Sequence, residues 1–593
     1  MASTGAEIVL DHLIAAKVPS IFGIPGHGDV ALFDAALERR GRIATVMTIH
    51  EQGAAHMADG FYRSSGQPCA VFTSVGPGAC NTVTGVAQAY VDSTALLVVT
   101  GSPHTYMRGR SVLQELDRQQ WADFPSVLRP VTKQSWQVSH VAQLPFVMHR
   151  AFNRMLSGRP GPVHLDLPMD VQAEAVDVPP PDLEHRVARS RPRPDAAATV
   201  RAARLLAGAQ RPVVIAGGGV VTAGAGTAVR EIAEHVGAAI LTTWMGKGAV
   251  PEDHELYGLH PGSPGSSVAN TLLHTADVIL ALGCRFTDWS FSSFHADYFL
   301  RPDAALIQVD LDPAEIGKNA PVAVDLVADA GAAAADVLAA LRDAAAPRPW
   351  RGSPYHAEIA RLRQAWEDEL RPAREHQGSP TTVSRALAEI RRALPRDGIV
   401  VGGAGLPQNQ LYQEFPVYEP RTHISSGGFS TMGFTVPGAI GAKLGAPGRA
   451  VVGVAGDGDF LDTVQELAVA AQLDLGVVYV VLNNQGFTSI KTLQEGLYGS
   501  GRAIATEFRR RGADYSPDFA ALARDFGLAG ERVEDPDGIA PALRRALAGG
   551  GPAVIEVPVT KQGLTKAGWW DVPVPAYLPA HSAWLAGRAR EVR

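Results

Sequence analysis

The sequence predicts an α/β protein with three doubly wound parallel-sheet domains. Three blocks of the chain each alternate short, wholly apolar runs with longer helical patterns. Apolar runs without polar alternation are typical of strands that are buried on both faces of a parallel sheet. Glycine is frequent, with 61 among 593 residues, and it follows many of the apolar runs. This placement indicates turns at which the backbone closely approaches a neighbour or a ligand.

The first predicted domain covers residues 1–178. Its expected strands are residues 20–24, 44–49, 69–73 and 95–100. Helical patterns at residues 7–16 and 52–63 alternate with these strands. A proline-rich stretch of mixed charge, residues 178–194, follows them and is typical of a linker.

The second and third domains are predicted at residues 190–345 and 375–560. The expected strands of the second domain are residues 212–216, 239–243, 278–282 and 305–310. Those of the third domain are residues 398–401, 450–454, 477–482 and 553–557. A loose segment at 344–354 separates the two domains, and a C-terminal tail at 561–593 is rich in proline and tryptophan. Alternating strands and helices in each block predict right-handed βαβ units.

Composition argues against several classes of protein. The net charge is −7, and no basic stripe of the kind that binds nucleic acid is evident. No apolar run is long enough for a membrane span, and the first residues lack the pattern of a signal peptide. Cys69, Cys80 and Cys284 fit neither a disulfide framework nor a zinc site. We therefore expect a cytoplasmic protein without a nucleic-acid or membrane partner.

Polar clusters follow two neighbouring strands of the third domain. They are Gly456, Asp457, Gly458 and Asp459 after one strand, and Asn484 and Gly486 after the next. A right-handed βαβ unit brings the carboxyl ends of both strands to one edge of the sheet. Carboxylate, amide and carbonyl oxygens suit Mg²⁺, and a glycine-rich helix start suits phosphate. The pattern indicates a metal-bridged diphosphate, whereas Gly-Asp-Gly alone would more often be a tight turn.

A second candidate residue, Glu51, follows the strand predicted at residues 44–49. It stands between His50 and Gln52, where the predicted helix begins. The helix dipole alone favours a glutamate in the first turn, which is the structural alternative to a catalytic role.

Together these segments resemble the thiamine-diphosphate (ThDP) enzymes, in which Gly-Asp-Gly is followed at this interval by Asn-Asn. The resemblance implies Asp457, Asn484 and the carbonyl oxygen of Gly486 as Mg²⁺ ligands. It also implies that the cofactor lies against Gly456, Gly458 and Asp459. Asp459 is a departure, because many members carry serine at that position.

The segment from His50 to Gly60 is similar to the cofactor-activating segment of ThDP enzymes related to acetohydroxyacid synthase. The resemblance implies that Glu51 hydrogen-bonds N1′ of the aminopyrimidine and shares a proton with it. Residues 425–434 match a third segment of these enzymes. There Met432 would hold the cofactor in a V shape, and the carbonyl of Ser430 would accept from the 4′-amino group.

The resemblance to the catalytic subunit of acetohydroxyacid synthase extends over nearly the whole chain, including residues 129–133, 158–163 and 311–319. It implies a pyrimidine-binding, a central and a diphosphate-binding domain, in that order. Each cofactor would lie between two chains, so a homodimer or homotetramer is expected. Some members carry FAD in the central domain, and the glycines at 217–219 are compatible with it.

Three residues bear on the choice of reaction. His27 stands where the synthases have glycine, and an imidazole there could move protons at the reacting carbonyl. Hydrolases of cyclic 1,2-diones, including trihydroxycyclohexanedione hydrolase, share this Gly-His step. Gln114 has counterparts in both branches and could hydrogen-bond the substrate carbonyl. The alternatives are that His27 makes only a structural hydrogen bond within its loop and that the side-chain amide of Gln114 is merely solvated. Trp289 replaces an arginine that helps the synthases handle the second keto acid and the flavin.

The expected function is ThDP- and Mg²⁺-dependent making or breaking of a carbon–carbon bond next to a carbonyl. The preferred reaction is decarboxylating carboligation of a 2-oxo acid, as in acetolactate formation. Hydrolytic opening of a cyclic 1,2-dione, with His27 handling the water or the proton, is the close alternative. A third hypothesis is that the protein is a scaffold without catalytic activity, and failure to bind ThDP would support it.

Overall fold

Three parallel β-sheets, one in each third of the chain, form the framework of the molecule. The computed structural model describes residues 2–115, 124–294, 300–301 and 303–562. These sheets and their flanking helices confirm the predicted fold class. The predicted C-terminal tail lies outside the described residues except for its first two positions.

The N-terminal sheet has six parallel strands. In spatial order they are Ala44–Met47, Ser20–Gly23, Cys69–Thr73, Leu96–Ser102, Val163–Pro168 and Ser135–Gln137. The helices of this domain are Gly5–Ala15, Val30–Leu37, Glu51–Ser65, Pro77–Asn81, Val83–Val91, Phe124–Leu128, Leu144–Leu156 and Met169–Ala173. A short antiparallel pair, Ala2–Thr4 with Ala175–Asp177, joins the beginning of the domain to its end.

The central sheet has five parallel strands. In spatial order they are Ala239–Thr242, Pro212–Ala216, Val278–Leu282, Ala305–Asp310 and Val324–Val327. Its helices are Ala196–Gly208, Gly218–Ala223, Gly226–Val236, Ser267–His274 and Ala330–Ala344. The loose segment predicted next is followed by a helix that the sequence analysis did not identify, Pro354–Arg374. Ser353 caps this helix, since its side chain accepts a hydrogen bond from the backbone N–H of His356.

The C-terminal sheet again has six parallel strands. In spatial order they are His423–Ser425, Ile399–Gly402, Val451–Gly456, Val477–Asn483, Ala553–Pro558 and Ala529–Arg532. The helices are Val383–Ala393, Leu406–Glu414, Thr435–Gly445, Asp457–Asp462, Leu467–Gln472, Thr488–Tyr498, Phe519–Asp525 and Ile539–Gly549. A two-residue hairpin pairs Arg509–Arg510 with Ala513–Asp514.

The Gly-Asp-Gly turn leads into two short helices. A helix already begins at Asp457 and ends at Asp462, and a second one begins only at Leu467. The break falls at Thr463, whose hydroxyl donates to the carbonyl oxygen of Gly433 at 2.7 Å. This bond to a neighbouring segment competes with continuation of the helix.

The N-terminal and C-terminal domains pack through two helices, Glu51–Ser65 and Thr435–Gly445. A Cβ atom at Gly60 would lie 2.2 Å from the carbonyl oxygen of Gly438, and one at Gly441 would lie 1.9 Å from that of Met57. The two backbones are therefore in direct contact, which only glycine permits. A single buried apolar cluster continues across this joint.

No helix in the described part of the chain has both the length and the apolar character that a membrane crossing requires.

Candidate active site

Asp457 lies at the carboxyl edge of the C-terminal sheet, as the sequence predicts. Gly456 pairs with Leu482 on the next strand, so Asp457 faces the residues that follow that strand. Its Oδ1 accepts from the N–H of Gly458 at 2.8 Å, and its Oδ2 accepts from the N–H of Gly486 at 3.1 Å. Burial raises the pKa of Asp457 to about 6, against the effect of these backbone donors.

Asn484 lies beside this carboxylate, and its Oδ1 is buried without a hydrogen-bond partner. A buried oxygen in this state is costly in a protein unless a ligand satisfies it. With the Asp457 carboxylate and the Gly486 carbonyl nearby, the donor set is one of hard oxygens, which fits Mg²⁺. Among the described residues, no cluster of three His, Cys, Asp or Glu side chains offers a different metal site.

The second acid of the motif, Asp459, makes its hydrogen bonds within the protein. Its Oδ1 accepts from the N–H of Gly433 at 2.7 Å, and its Oδ2 accepts from the hydroxyl of Thr435 at 2.5 Å. Burial raises its pKa to about 7. Asp459 therefore holds Gly433, the residue that follows Met432, in place. A direct contact with a cofactor stays a prediction.

Ser430 and Met432 line the same cavity as Asp457 and Asn484. Ser430 has a left-handed backbone with φ of +54°. Its hydroxyl donates to Oε1 of Gln408 at 2.8 Å. Since left-handed backbone is unfavourable for serine, the surrounding contacts hold this segment in place.

The N-terminus of the helix Leu406–Glu414 also borders the cavity and was not predicted from the sequence. Gly405, with φ of +97°, precedes the helix, and Gln408 and Asn409 in its first turns line the cavity. Backbone N–H groups at such a terminus are free to bind an anion. The signal was present as a glycine-rich turn after a strand, followed by Pro407 at the second helical position.

The cavity has a volume of about 1330 Å³ and extends from the Asp457 region along the central domain. Gly456, Gly458, Asp459 and Gly486 are among its lining residues. On the side of the central domain it is lined by Gly218, Gly219, Trp244, Arg285 and Trp289. Trp289 is 54% exposed.

Glu51 begins the helix Glu51–Ser65 and is half-buried. Its Oε2 accepts from the side-chain amide of Asn81 at 2.9 Å. The helix start is held by Glu466 of the C-terminal domain, whose carboxylate accepts from the N–H of Ile49 at 3.2 Å and of His50 at 2.9 Å. The position of Glu51 therefore depends on the C-terminal domain of the same chain.

His27 and Gln114 are exposed on loops of the N-terminal domain. Asp29 fixes the loop of His27 by accepting from the N–H of Gly26 at 2.7 Å. The backbone carbonyl of Gln114 lies 2.2 Å from where a Cβ atom of Gly76 would be, so the loop of Gln114 touches the turn that follows the strand Cys69–Thr73. Neither residue lines the cavity, nor does Glu51. One chain therefore holds the two halves of the predicted site apart.

Comparison with known proteins decides the family. Three regions match thiamine pyrophosphate enzymes: the N-terminal TPP binding domain at residues 3–121, the central domain at 199–341 and the C-terminal TPP binding domain at 403–557. The chain is 34% identical to a probable acetolactate synthase large subunit of Methanocaldococcus jannaschii, over 93% of this chain and 91% of that protein.

The chain belongs to the acetolactate synthase large-subunit family. It is 34% identical to the isozyme 3 large subunit of Escherichia coli, over 92% of each chain. The large subunit of Corynebacterium glutamicum is also 34% identical, over 92% of this chain and 84% of that protein. The protein is therefore a ThDP-dependent enzyme of the acetolactate synthase type, and the resemblance noted in the sequence is confirmed.

Proposed function

We propose that this protein is a Mg²⁺- and ThDP-dependent carboligase, which joins the keto carbon of a 2-oxo acid to a second carbonyl compound with loss of CO₂. The observation that carries the proposal is the oxygen cluster of Asp457 and Asn484 on a large cavity, with Oδ1 of Asn484 buried and unpaired. Three relatives at 34% identity, each named as an acetolactate synthase large subunit, support this class of reaction.

The C-terminal domain would hold the cofactor's diphosphate end. Asp457, Asn484 and the carbonyl oxygen of Gly486 would bind Mg²⁺. Asp459 would keep the backbone beside Met432 in place through its bonds to Gly433 and Thr435. Bound ThDP supplies the nucleophilic carbon that adds to the substrate's carbonyl.

The N-terminal domain would supply proton transfer and substrate contacts. Glu51 would carry the proton that is exchanged with N1′ of the aminopyrimidine, and Asn81 orients its carboxylate. His27 and Gln114 would face the reacting carbonyl from their two loops. These residues lie off the cavity of their own chain, so we propose a homodimer or homotetramer in which a second chain supplies them.

FAD is a second cofactor that the central domain could hold. The cavity continues past Gly218 and Arg285, beyond the residues that ThDP needs. However, the glycines at 217 and 219 already press against Gly283, because a Cβ atom at Gly217 would lie 2.1 Å from its carbonyl oxygen. Packing alone thus explains these glycines. The flavin absorbance of the purified protein decides whether FAD is bound.

The experiment is to measure CO₂ release from pyruvate by the purified protein with ThDP and Mg²⁺, with acetolactate assayed in parallel. Release together with acetolactate supports the proposal. Release without acetolactate would indicate a decarboxylase or a different acceptor. If a sample shown to bind ThDP releases no CO₂, cleavage of a cyclic 1,2-dione involving His27 becomes the better assignment.

A further inference from the structure

Arg63 lies at the last turn of the helix that begins with Glu51, at the joint between the N-terminal and C-terminal domains. It is 8% exposed. Its guanidinium donates to Oδ1 of Asp59 at 2.7 Å and to Oδ2 of Asp92 at 3.0 Å. It also donates to the carbonyl oxygen of Ser425, the last residue of an edge strand in the C-terminal sheet. Arg63 therefore connects two acids of one domain to the backbone of another.

Asp92 makes a further contact between the N-terminal and C-terminal domains. Its Oδ1 accepts from the N–H of Gly428 at 3.1 Å, while its Oδ2 is bound to Arg63. Gly427, with φ of +57°, lies directly on the carboxylate, since a Cβ atom there would be 2.2 Å from Oδ2. Residues 425–428 are thus fixed from across the domain boundary. Hydrogen bonds from a charged donor, such as the guanidinium of Arg63, are stronger than those between neutral groups.

The segment that follows leads into the active-site cavity. Gly428, Ser430 and Met432 all line it. Between Ser425 and the helix that starts at Thr435 the chain forms neither helix nor strand. At the far end of this segment, Gln408 binds the hydroxyl of Ser430 and Asp459 binds the N–H of Gly433. At the near end, Asp92 binds Gly428 from the N-terminal domain.

We propose that Asp92 is a positioning residue, which together with Arg63 fixes the segment from Ser425 to Met432 against the ThDP bound in the cavity. The inference rests on the proposed function and extends it to a residue outside the cofactor motifs. Asp92 and Arg63 border the cavity themselves, and Asp92 acts on the segment through the backbone N–H of Gly428. A merely structural ion pair would contribute to folding without setting cofactor affinity.

The test compares Asp92→Asn with Asp59→Asn in the full-length protein. Asp59 is a matched control, because it also binds Arg63 and is buried, but its other bonds go to Gln88 and Thr94. ThDP affinity is measured by titration calorimetry with Mg²⁺, and stability by thermal unfolding without cofactor. We expect both variants to lose stability, but only Asp92→Asn to weaken ThDP binding, by about tenfold.

Equal ThDP affinity in wild type and Asp92→Asn, or an equal loss in both variants, would overturn the inference. A second variant, Gly427→Ala, covers the case in which Asp92→Asn does not fold. It keeps every charge and displaces the segment from the carboxylate, so weaker ThDP binding is expected and unchanged affinity contradicts the role. If the wild type does not bind ThDP at all, the proposed function fails, and this inference fails with it.

Discussion

The N-terminal and C-terminal sheets have the same strand order but carry different chemistry at their carboxyl edges. In each sheet the strands, counted along the chain, lie in the order second, first, third, fourth, sixth, fifth. The third strand of the C-terminal sheet leads to Asp457, whereas the third strand of the N-terminal sheet leads to Ser74 and a glycine turn. The fourth strand leads to Asn484 in one sheet and toward Gln114 in the other.

This difference shows that the sheet determines where a site can be and the loops determine what it does. After the second strand, the N-terminal domain places Glu51 at the start of a helix, while the C-terminal domain places the segment of Ser430 and Met432. Under the proposed function, one sheet would present a proton carrier, and the other would present an oxygen cluster for a cation. Each of the following changes tests this division of tasks.

The largest effect is expected from Asp457→Ala. Removal of the only carboxylate that we assign to the cation should abolish Mg²⁺-dependent ThDP binding, measured by titration calorimetry. Asp462→Asn is a matched control, because this acid ends the same short helix but is exposed. Wild-type ThDP affinity in Asp457→Ala would remove the metal site from the C-terminal sheet.

Glu51→Gln tests the role assigned to the N-terminal sheet, which is proton transfer by Glu51. The amide keeps the size of the side chain but cannot carry the exchanged proton, so turnover should fall by about 10²- to 10⁴-fold. ThDP affinity and the melting temperature should stay close to those of wild type, in contrast to Asp457→Ala. Steady-state kinetics with saturating ThDP measures the effect. Full activity would show that Glu51 is merely a helix-start residue.

A mixture of these two variants tests whether one active site combines the N-terminal sheet of one chain with the C-terminal sheet of another. If each site combines Glu51 of one chain with Asp457 of another, a mixed dimer has one intact site. Random exchange should then restore about a quarter of the wild-type activity from two inactive proteins. The assay needs subunits that are mixed under conditions of reversible dissociation. Absence of any recovery, with exchange demonstrated, would place both residues in a site within one chain.

The smallest effect concerns Glu466 of the C-terminal domain, whose carboxylate binds the N–H groups of Ile49 and His50 in the N-terminal domain. Burial raises the pKa of Glu466 from 4.5 to about 7, with nearby Glu51 adding to the shift. The folded protein thus keeps a proton that the unfolded chain has lost, so the contribution of Glu466 to stability falls as the pH rises from 4.5 through 7.

Glu466→Gln cannot ionise and should therefore gain stability relative to wild type as the pH rises. The gain between about pH 5 and about pH 8 should reach at most about 3 kcal/mol of unfolding free energy. Melting temperatures of both proteins at the two pH values measure it. Parallel melting curves for the two proteins would mean that Glu466 is ionised at both pH values.

The sequence was sufficient for the sheet-and-helix plan and for the oxygen cluster, because both depend on local patterns. Apolar runs marked most of the interior strands, but not Val163–Pro168, whose run is interrupted by His164 and Asp166. Edge strands such as His423–Ser425 and Ala529–Arg532 are short or polar and gave no such signal. Gly-Asp-Gly and Asn484 follow neighbouring strands, so chain connectivity alone predicts that they lie together.

The remaining features depend on contacts between residues far apart in the chain. The bonds of Asp459 to Gly433 and Thr435 show that this acid faces the protein, which no local pattern reveals. In the same way, Glu466 holds the start of a helix that lies more than 400 residues earlier. In the proposed oligomer, the surroundings of a loop residue such as His27 would include a second chain, which a single sequence does not describe.

The direct backbone contact between the helices Glu51–Ser65 and Thr435–Gly445 has a mechanical consequence. A joint without room for a methyl group at Gly60 or Gly441 cannot slide or open without losing its packing. The N-terminal and C-terminal domains of one chain should therefore move as a rigid unit during turnover. Any closure over a substrate must come from the loops, the central domain or, in the proposed oligomer, the neighbouring chain, and engineering of substrate range should begin there.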